Sequence, residues 1–499
     1  LPIPGSKLYF RRNEARIVGE PARPPELAPD PATLSGIFTM AAALKSRADR
    51  YKQGRALRAR APRQAHAEFH GPRDRDAVAI LAESDGARVP ELVPERYKRM
   101  MADPFGFLRG AAAVMAADLA HQPVAGAPVQ ACGDCHLMNF GAFNSPEDNI
   151  LFDINDFDET LPGVDFTVDI KRLAASVAVA AKAAAMSDRR ARSFAASTVS
   201  AYREHMFGLM DLSPREIWHS RIDLQQQLKQ IESPQLRRSL ATLIRHARAS
   251  GLDKDDNFPH LVAGGEPRIA DKPPTIFHLN PETLGGRKID FDRGFALYRE
   301  TLTPDRTVLL DNYRLMDVAF KAVGVGSVGT ICVVGLFLSG DGDPLFLQVK
   351  QAQRSVLERL SAKLAYQGPQ GRRVVEGQRM MQAASDILLG WTSDEALGIE
   401  FYVRILKNRR LGAVSELAEQ QALSEYARLC GRTLARSHAR CGDPAVIAGY
   451  MGRGEAFDDA LASFAMAYVE QTIKDHAALV KAKGGGKAEA PPKPQRKSA

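Results

Sequence analysis

Where the strands fall constrains this fold more than any other feature of the chain. Much of the sequence is helical in pattern, with apolar residues three and four apart, but from Tyr313 the texture turns strand-like. Segments 317–323, 330–338, 345–350, 387–391 and 399–405 read as strands, with one amphipathic helix at 371–385 among them. Helical patterns precede this block at 89–119, 168–185 and 187–210, and follow it at 415–438 and 457–480. A strand block between helical runs makes the chain α+β. Only two further short strands are expected, 140–143 and 150–154, joined by the turn 144–149.

This pattern divides the chain into five parts. Residues 1–75 read as an irregular basic arm with one helix near 34–51, and 76–300 as a helical segment. Residues 301–410 are strand-rich, 411–480 return to helix, and 481–499, rich in Gly, Pro and Lys, should lack structure. The formal charge of +8 is uneven: the stretch 45–63 carries +7 and the tail 481–497 carries +5, which leaves about −4 for the body. A body of that sign is not a basic nucleic-acid binder, and the two basic stretches read as solvated extensions. No run of eighteen apolar residues occurs. The nearest candidate, 173–186, is alanine-rich and broken by Lys182, so no membrane span is expected. Five cysteines, an odd and sparse set, argue for a reducing compartment. With no leader pattern at Leu1–Gly5, the expected location is the cytoplasm. Cys132 and Cys135 form a single C-x-x-C, weak as a zinc signal without a second pair.

Two stretches carry candidate chemistry. In the strand block, Gly324, Gly326, Ser327 and Gly329 form a glycine-rich turn followed by a strand. A dinucleotide fingerprint would require a helix there. A glycine hairpin between strands instead suits a phosphate cover, because backbone N–H groups can approach phosphate oxygens without a side chain in the way. Lys350 ends the next strand but one, where it would lie under that loop, although a plain hairpin with a surface lysine would look the same. Such a lysine needs a carboxylate to aim it, and Glu376 on the following helix is the candidate. Glu358 sits in a charge-rich surface stretch with Arg354 and Arg359.

The second stretch is Gly133-Asp134-Cys135-His136-Leu137-Met138-Asn139, followed by Asn155-Asp156-Phe157-Asp158-Glu159. Asp134 and Asn139 have the spacing of a catalytic-loop base and a metal-binding asparagine. An acid can take a proton from an acceptor hydroxyl, and a neutral amide can ligate Mg2+ without adding charge. Asp156 is the expected second metal ligand, with Asp158 competing for that role. His136 reads as a buttress of the loop. A calcium site or a merely capped turn would use the same residue types. Asp169, at a helix start, is either a dipole-favoured charge or an anchor for the loop backbone.

These residues resemble the protein-kinase-like superfamily, especially its aminoglycoside and choline kinase branch, where Gly-Asp-x-His-x-x-Asn is paired with a later Ile-Asp-Phe/Trp. Asn155 departs from that second motif. The chain is also similar to the bacterial domain of unknown function 2252 family through Phe107-Leu108-Arg109-Gly110, 155–159, Val374-Val375-Glu376-Gly377-Gln378 and Ala435-Arg436-Ser437-His438-Ala439-Arg440. The kinase resemblance implies a two-lobed fold with ATP and Mg2+ as cofactors and transfer to an unidentified small-molecule or protein acceptor. It would be catalysed by Asp134, His136, Lys350 and Glu376, with Asn139 and Asp156 or Asp158 on the metal. The motifs run in the opposite order to an ordinary kinase, so the resemblance implies a circular permutation with extra helices. The permutation requires residues 436–443 to lie beside residues 129–134. A nucleotide-binding pseudokinase and a nucleotidyl transferase remain open alternatives.

Overall fold

The computed structural model describes residues 44–72, 74–248, 259–262, 266–273, 275–278, 290–321, 328–406, 417 and 419–484. Helices dominate, as the periodicity requires. In chain order the main ones and the strands are α1 (Arg47–Leu57), α2 (Val93–Met101), α3 (Pro104–Gly110), α4 (Ala112–Leu119), β1 (Pro128–Ala131), β2 (Phe140–Asn144), β3 (Ile150–Ile154), β4 (Leu161–Asp165), α5 (Thr167–Ala183) and α6 (Asp188–Met210). Further helices at Pro214–His219, Leu224–Gln230 and Pro234–Arg248 precede β5 (Ile276–Phe277) and α7 (Phe291–Glu300). The strand block then gives β6 (Tyr313–Lys321), β7 (Cys332–Ser339), β8 (Pro344–Gln351), α8 (Gln370–Met381), β9 (Gly390–Asp394) and β10 (Ile399–Ile405). The chain closes with α9 (Gln420–Cys441), α10 (Pro444–Met451) and α11 (Ala456–Lys483). The fold is mixed α+β, and among the described residues no helix is long and apolar enough to cross a membrane.

The strand block forms one antiparallel sheet in the order β5-β6-β7-β8-β10-β9. Lys350 stands opposite Tyr402 and Cys332 in register, so these three share one face, whereas Val333, Val349 and Val403 share the other. The expected strand 387–391 is displaced to Gly390–Asp394. Asp386 draws the preceding residues into a turn by accepting the N–H groups of Leu388 and Ile405. Outside this sheet, β2 pairs with β3 and β1 with β4, each antiparallel. The main core packs α5, α6 and α9 around Phe140, Phe152, Tyr202 and Tyr426.

The basic stretch expected as a solvated arm is packed on the body. Arg58 donates to the carbonyls of Tyr450 and Gly449, and Arg63 to that of Met451 at 2.8 Å, so both cap the last turn of α10. Cations at a helix C-terminus satisfy orphan carbonyls and the dipole together. Of the helix expected at 34–51, residues 47–51 open α1, residues 44–46 are not helical, and residues 34–43 lie outside the described residues, as do residues 485–499 of the tail. Gly54 of α1 and Gly449 of α10 let the two backbones touch. A Cβ on Gly54 would run into the Val446 carbonyl, and one on Gly449 into that of Tyr51. Gly54→Ala is therefore expected to lower stability by about 1–3 kcal/mol despite alanine's better helix propensity, measured by chemical denaturation. A stabilised variant would refute this packing.

Candidate functional site

The site grows from the loop between β1 and β2. Gly133 has φ +89°, and a Cβ there would meet the Glu159 backbone, so the turn that presents Asp134 needs glycine. Asp169, fully buried at the start of α5, accepts the backbone N–H groups of Cys132 at 2.8 Å and Gly133 at 3.0 Å, and contacts His438 Nε2 at 3.2 Å. It is a loop anchor. His136 buttresses the same loop: its Nδ1 accepts the Met138 N–H at 3.1 Å, and its Nε2 lies 3.7 Å from Asp134. Asn139 turns its amide nitrogen to the Asp134 carbonyl at 2.7 Å, and its own carbonyl accepts the Asn155 N–H at 2.8 Å, joining the two motif stretches.

Asp134 is gripped by Arg172 of α5, whose Nε donates at 2.6 Å and whose Nη2 also pairs with the carboxylate. Burial pushes the Asp134 carboxyl up from its usual range, and Arg172 opposes that. Across from it, Lys350 Nζ meets Asp158 Oδ2 at 2.6 Å, and Tyr402 donates its hydroxyl to Asp158 Oδ1 at 2.6 Å. Burial works against both charges. The ion pair nevertheless holds the Asp158 carboxyl well below its ordinary value and raises the Lys350 ammonium. Arg404, two residues beyond Tyr402, donates to the Asn155 carbonyl at 3.1 Å. Lys350, Tyr402 and Arg404 thus bring one face of the sheet onto the loop 155–158.

The carboxylate expected to aim Lys350 is not the one that does so. Glu376 is about two-fifths exposed and pairs with Arg372 at 2.7 Å on its own helix. The acid comes from the opposing loop, and this engages Asp158, one of the two proposed metal ligands. Helix α8 contributes Arg373 instead, three positions earlier. This guanidinium is buried and donates to the carbonyls of Asp158 at 2.9 Å, Gln353 at 2.7 Å and Thr160. It ties the acidic loop to the exit of β8. Its sequence signal was no more than an arginine one helical turn before the glutamate. Gly377, which faces Thr160 and Gln130, has no room for a Cβ.

Gly324, Gly326 and Ser327 lie outside the described residues. Gly329, the last glycine of that turn, has φ +89° and packs against the Arg88 side chain, and its carbonyl accepts the Val89 N–H at 2.7 Å. The stretch 88–89 therefore anchors the end of the turn, which no sequence pattern indicated. At the other end of the site, Cys441 Sγ lies 3.5 Å from the Gln130 carbonyl, and a Cβ on Gly442 would meet Val129. Residues 436–443 do lie beside residues 129–134.

No group of three or more His, Cys, Asp or Glu side chains among the described residues is arranged to hold a metal by itself. Magnesium bound through one or two protein oxygens, with phosphate oxygens and water completing its shell, needs no such group. Asn139 and Asp156 carry side-chain oxygens of the kind such an ion takes, and one oxygen of Asp156 accepts the Asp158 N–H at 3.3 Å.

Glu159 completes the acidic loop. Burial pushes its carboxyl up to about 7, against the Val356 N–H that it accepts at 2.7 Å. Because the folded value exceeds the unfolded one, its contribution is full below about pH 4 and is lost as pH rises through about 7. Unfolding free energy should accordingly fall by about 2 kcal/mol between pH 5 and pH 8 from this group. Glu159→Gln, which keeps the acceptor, should flatten that fall in urea titrations. An unchanged profile would contradict it.

A family model described as an uncharacterized protein conserved in bacteria (DUF2252) matches residues 88–482. No curated protein and no solved structure matches the chain.

Proposed function

The chain belongs to the bacterial DUF2252 family, and from that premise and the geometry above we propose that it is an ATP-dependent phosphotransferase with a kinase-like fold in circularly permuted order. The observation that carries the proposal is Lys350: a buried lysine on the third strand of a meander, paired with an acid on the loop that follows the Gly-Asp-x-His-x-x-Asn motif. The glycine-rich turn falls between the first two strands of that meander and α8 follows the third, as in a kinase nucleotide lobe. The contact of α9's end with β1 supports the reversed order.

In this mechanism Asp134 orients the acceptor hydroxyl or amine and takes its proton, with Arg172 and the Asn139 amide fixing its position. Lys350 transfers its ammonium from Asp158 to the phosphates, and Asp158 keeps the Tyr402 hydroxyl bond. Asn139 and Asp156 would hold Mg2+, which supplies charge neutralisation on the phosphate oxygens. The rate gain is one of positioning and electrostatics.

One observation favours a second reading, a nucleotide-binding pseudokinase. Asp134 is held by an arginine, and Asp158 by a lysine and a tyrosine, so both acids are already engaged. Incubation with γ- and α-labelled ATP, magnesium and a bacterial metabolite extract separates the readings. γ-Label transferred by wild type and not by Asp134→Ala supports the kinase. Transfer of α-label points to nucleotidyl transfer, and ATP binding without transfer to the pseudokinase.

A further inference from the structure

The face of the sheet turned away from Lys350 does not close against its covering helix. Between α7 and the strands β7, β8 and β10 runs a slot of about 70 Å³ lined by Phe295, Val333, Phe337, Val349, Phe401 and Val403. A space of this size holds several waters, each needing about 10–15 Å³ and two to four polar partners. The polar groups at the rim are already engaged. Thr392 donates to the Gly294 carbonyl, Asp394 accepts the N–H groups of Asp290 and Leu397, Asp290 caps α7 at Arg293, and the Tyr298 hydroxyl donates to Leu388. Water is therefore poorly served there.

One glycine, on the helical wall, keeps the slot open. Gly294 sits inside helix α7, where glycine is unfavourable, and a Cβ there would meet nothing closer than Thr392 Oγ1 at 3.9 Å. On the opposite wall Gly335 of β7 makes room for the protein itself: a Cβ there would meet the Phe337 ring at 2.9 Å and the Leu315 side chain at 3.3 Å. A packed core would gain from alanine at position 294, where there is room for it.

We infer that this slot is a binding site for the end of an aliphatic chain, such as an alkyl or acyl tail, with its polar head at the Asp290–Asp394 rim. Two carboxylates at that rim disfavour an anionic head, so a neutral or cationic one is accommodated. The site lies one strand's thickness behind the acidic loop: Val349, Phe401 and Val403 alternate along their strands with Lys350, Tyr402 and Arg404.

The test uses the full chain and 1-hexanol as the probe, read by saturation-transfer NMR. In the wild type, saturation should reach the terminal methyl more strongly than the carbinol protons, with a saturable dependence on concentration. Gly294→Leu, which fills the slot, should weaken binding at least tenfold while retaining the wild-type circular dichroism spectrum. Should that variant fail to fold, Gly294→Ala, which helix propensity favours and which puts one methyl on the helical wall, should weaken binding at least threefold. Absence of saturable transfer in the wild type, or equal affinity in wild type and a folded variant, overturns the inference. The readout requires no nucleotide, so it stands or falls separately from the proposed phosphotransfer.

Discussion

Replacing Asp153 with alanine is expected to cost about 3–5 kcal/mol of folding stability, the range for removing one partner of a buried ion pair. Asp153 is fully buried in β3 and meets Arg436 Nη2 of α9 at 2.6 Å, while its other oxygen accepts the Ala383 N–H just beyond α8 at 2.9 Å. Arg436 is also buried, and its Nη2 donates further to the Met381 carbonyl at 2.8 Å. One carboxylate therefore joins a strand of the loop region, the helix of the strand block and the returning helix. Its loss leaves a guanidinium in the core with its charge uncompensated. Urea unfolding followed by circular dichroism measures the effect, and a loss under about 1 kcal/mol would contradict it. Asp153→Leu combined with Arg436→Met should recover much of the stability, because two apolar groups leave no orphaned charge.

The second large effect concerns Lys350. Lys350→Met should lower phosphotransfer by about 10²–10⁴-fold, the scale on which positioned electrostatic groups act. The same substitution takes the ammonium away from the Asp158 carboxylate, so stability should also fall. Asp158→Asn in the same chain should restore part of the stability without restoring transfer. That split separates a phosphate-gripping role from a purely structural one. If transfer in Lys350→Met stays within threefold of wild type, the role assigned to Lys350 is wrong. The pH dependence of the pair follows from its shifts. The depressed Asp158 value makes its contribution present above about pH 4 and lost as pH falls toward the folded value. The raised Lys350 value makes its contribution present below about pH 10 and lost only as pH climbs beyond that. The pair is therefore intact across neutral pH.

Local patterns were legible where the local chemistry decides the structure. The strand block, the β2–β3 hairpin and the long helices follow from periodicity, because each buries a face whose spacing is set by its own backbone. Asp169 at a helix start left two readings open, a dipole-favoured charge or an anchor for the loop, and its bonds to the Cys132 and Gly133 N–H groups select the anchor. The Lys350 partner was not. Both Glu376 and Asp158 are acids within reach in principle, and the choice depends on how far the loop 155–159 protrudes toward the sheet. Arg373 sets that distance by gathering three carbonyls from two separate segments, an arrangement without a sequence signature. The arginines at 58 and 63 misled for a related reason: a dense run of positive charge looks solvated until the carbonyls that it caps, almost four hundred residues later, are brought beside it.

The Lys350–Asp158 contact also bears on how tightly a nucleotide could be held. A ligand that needs this lysine must find it released from Asp158. If closing the contact is worth about 2.7 kcal/mol, about one molecule in a hundred is receptive, and the observed affinity is about a hundredfold weaker than that of the receptive form. Tyr402 adds to the same bias, since its hydroxyl holds the carboxylate in place for the lysine. Removing that hydroxyl with Tyr402→Phe would enlarge the receptive fraction, so a substitution that weakens the resting protein could strengthen its grip on a ligand.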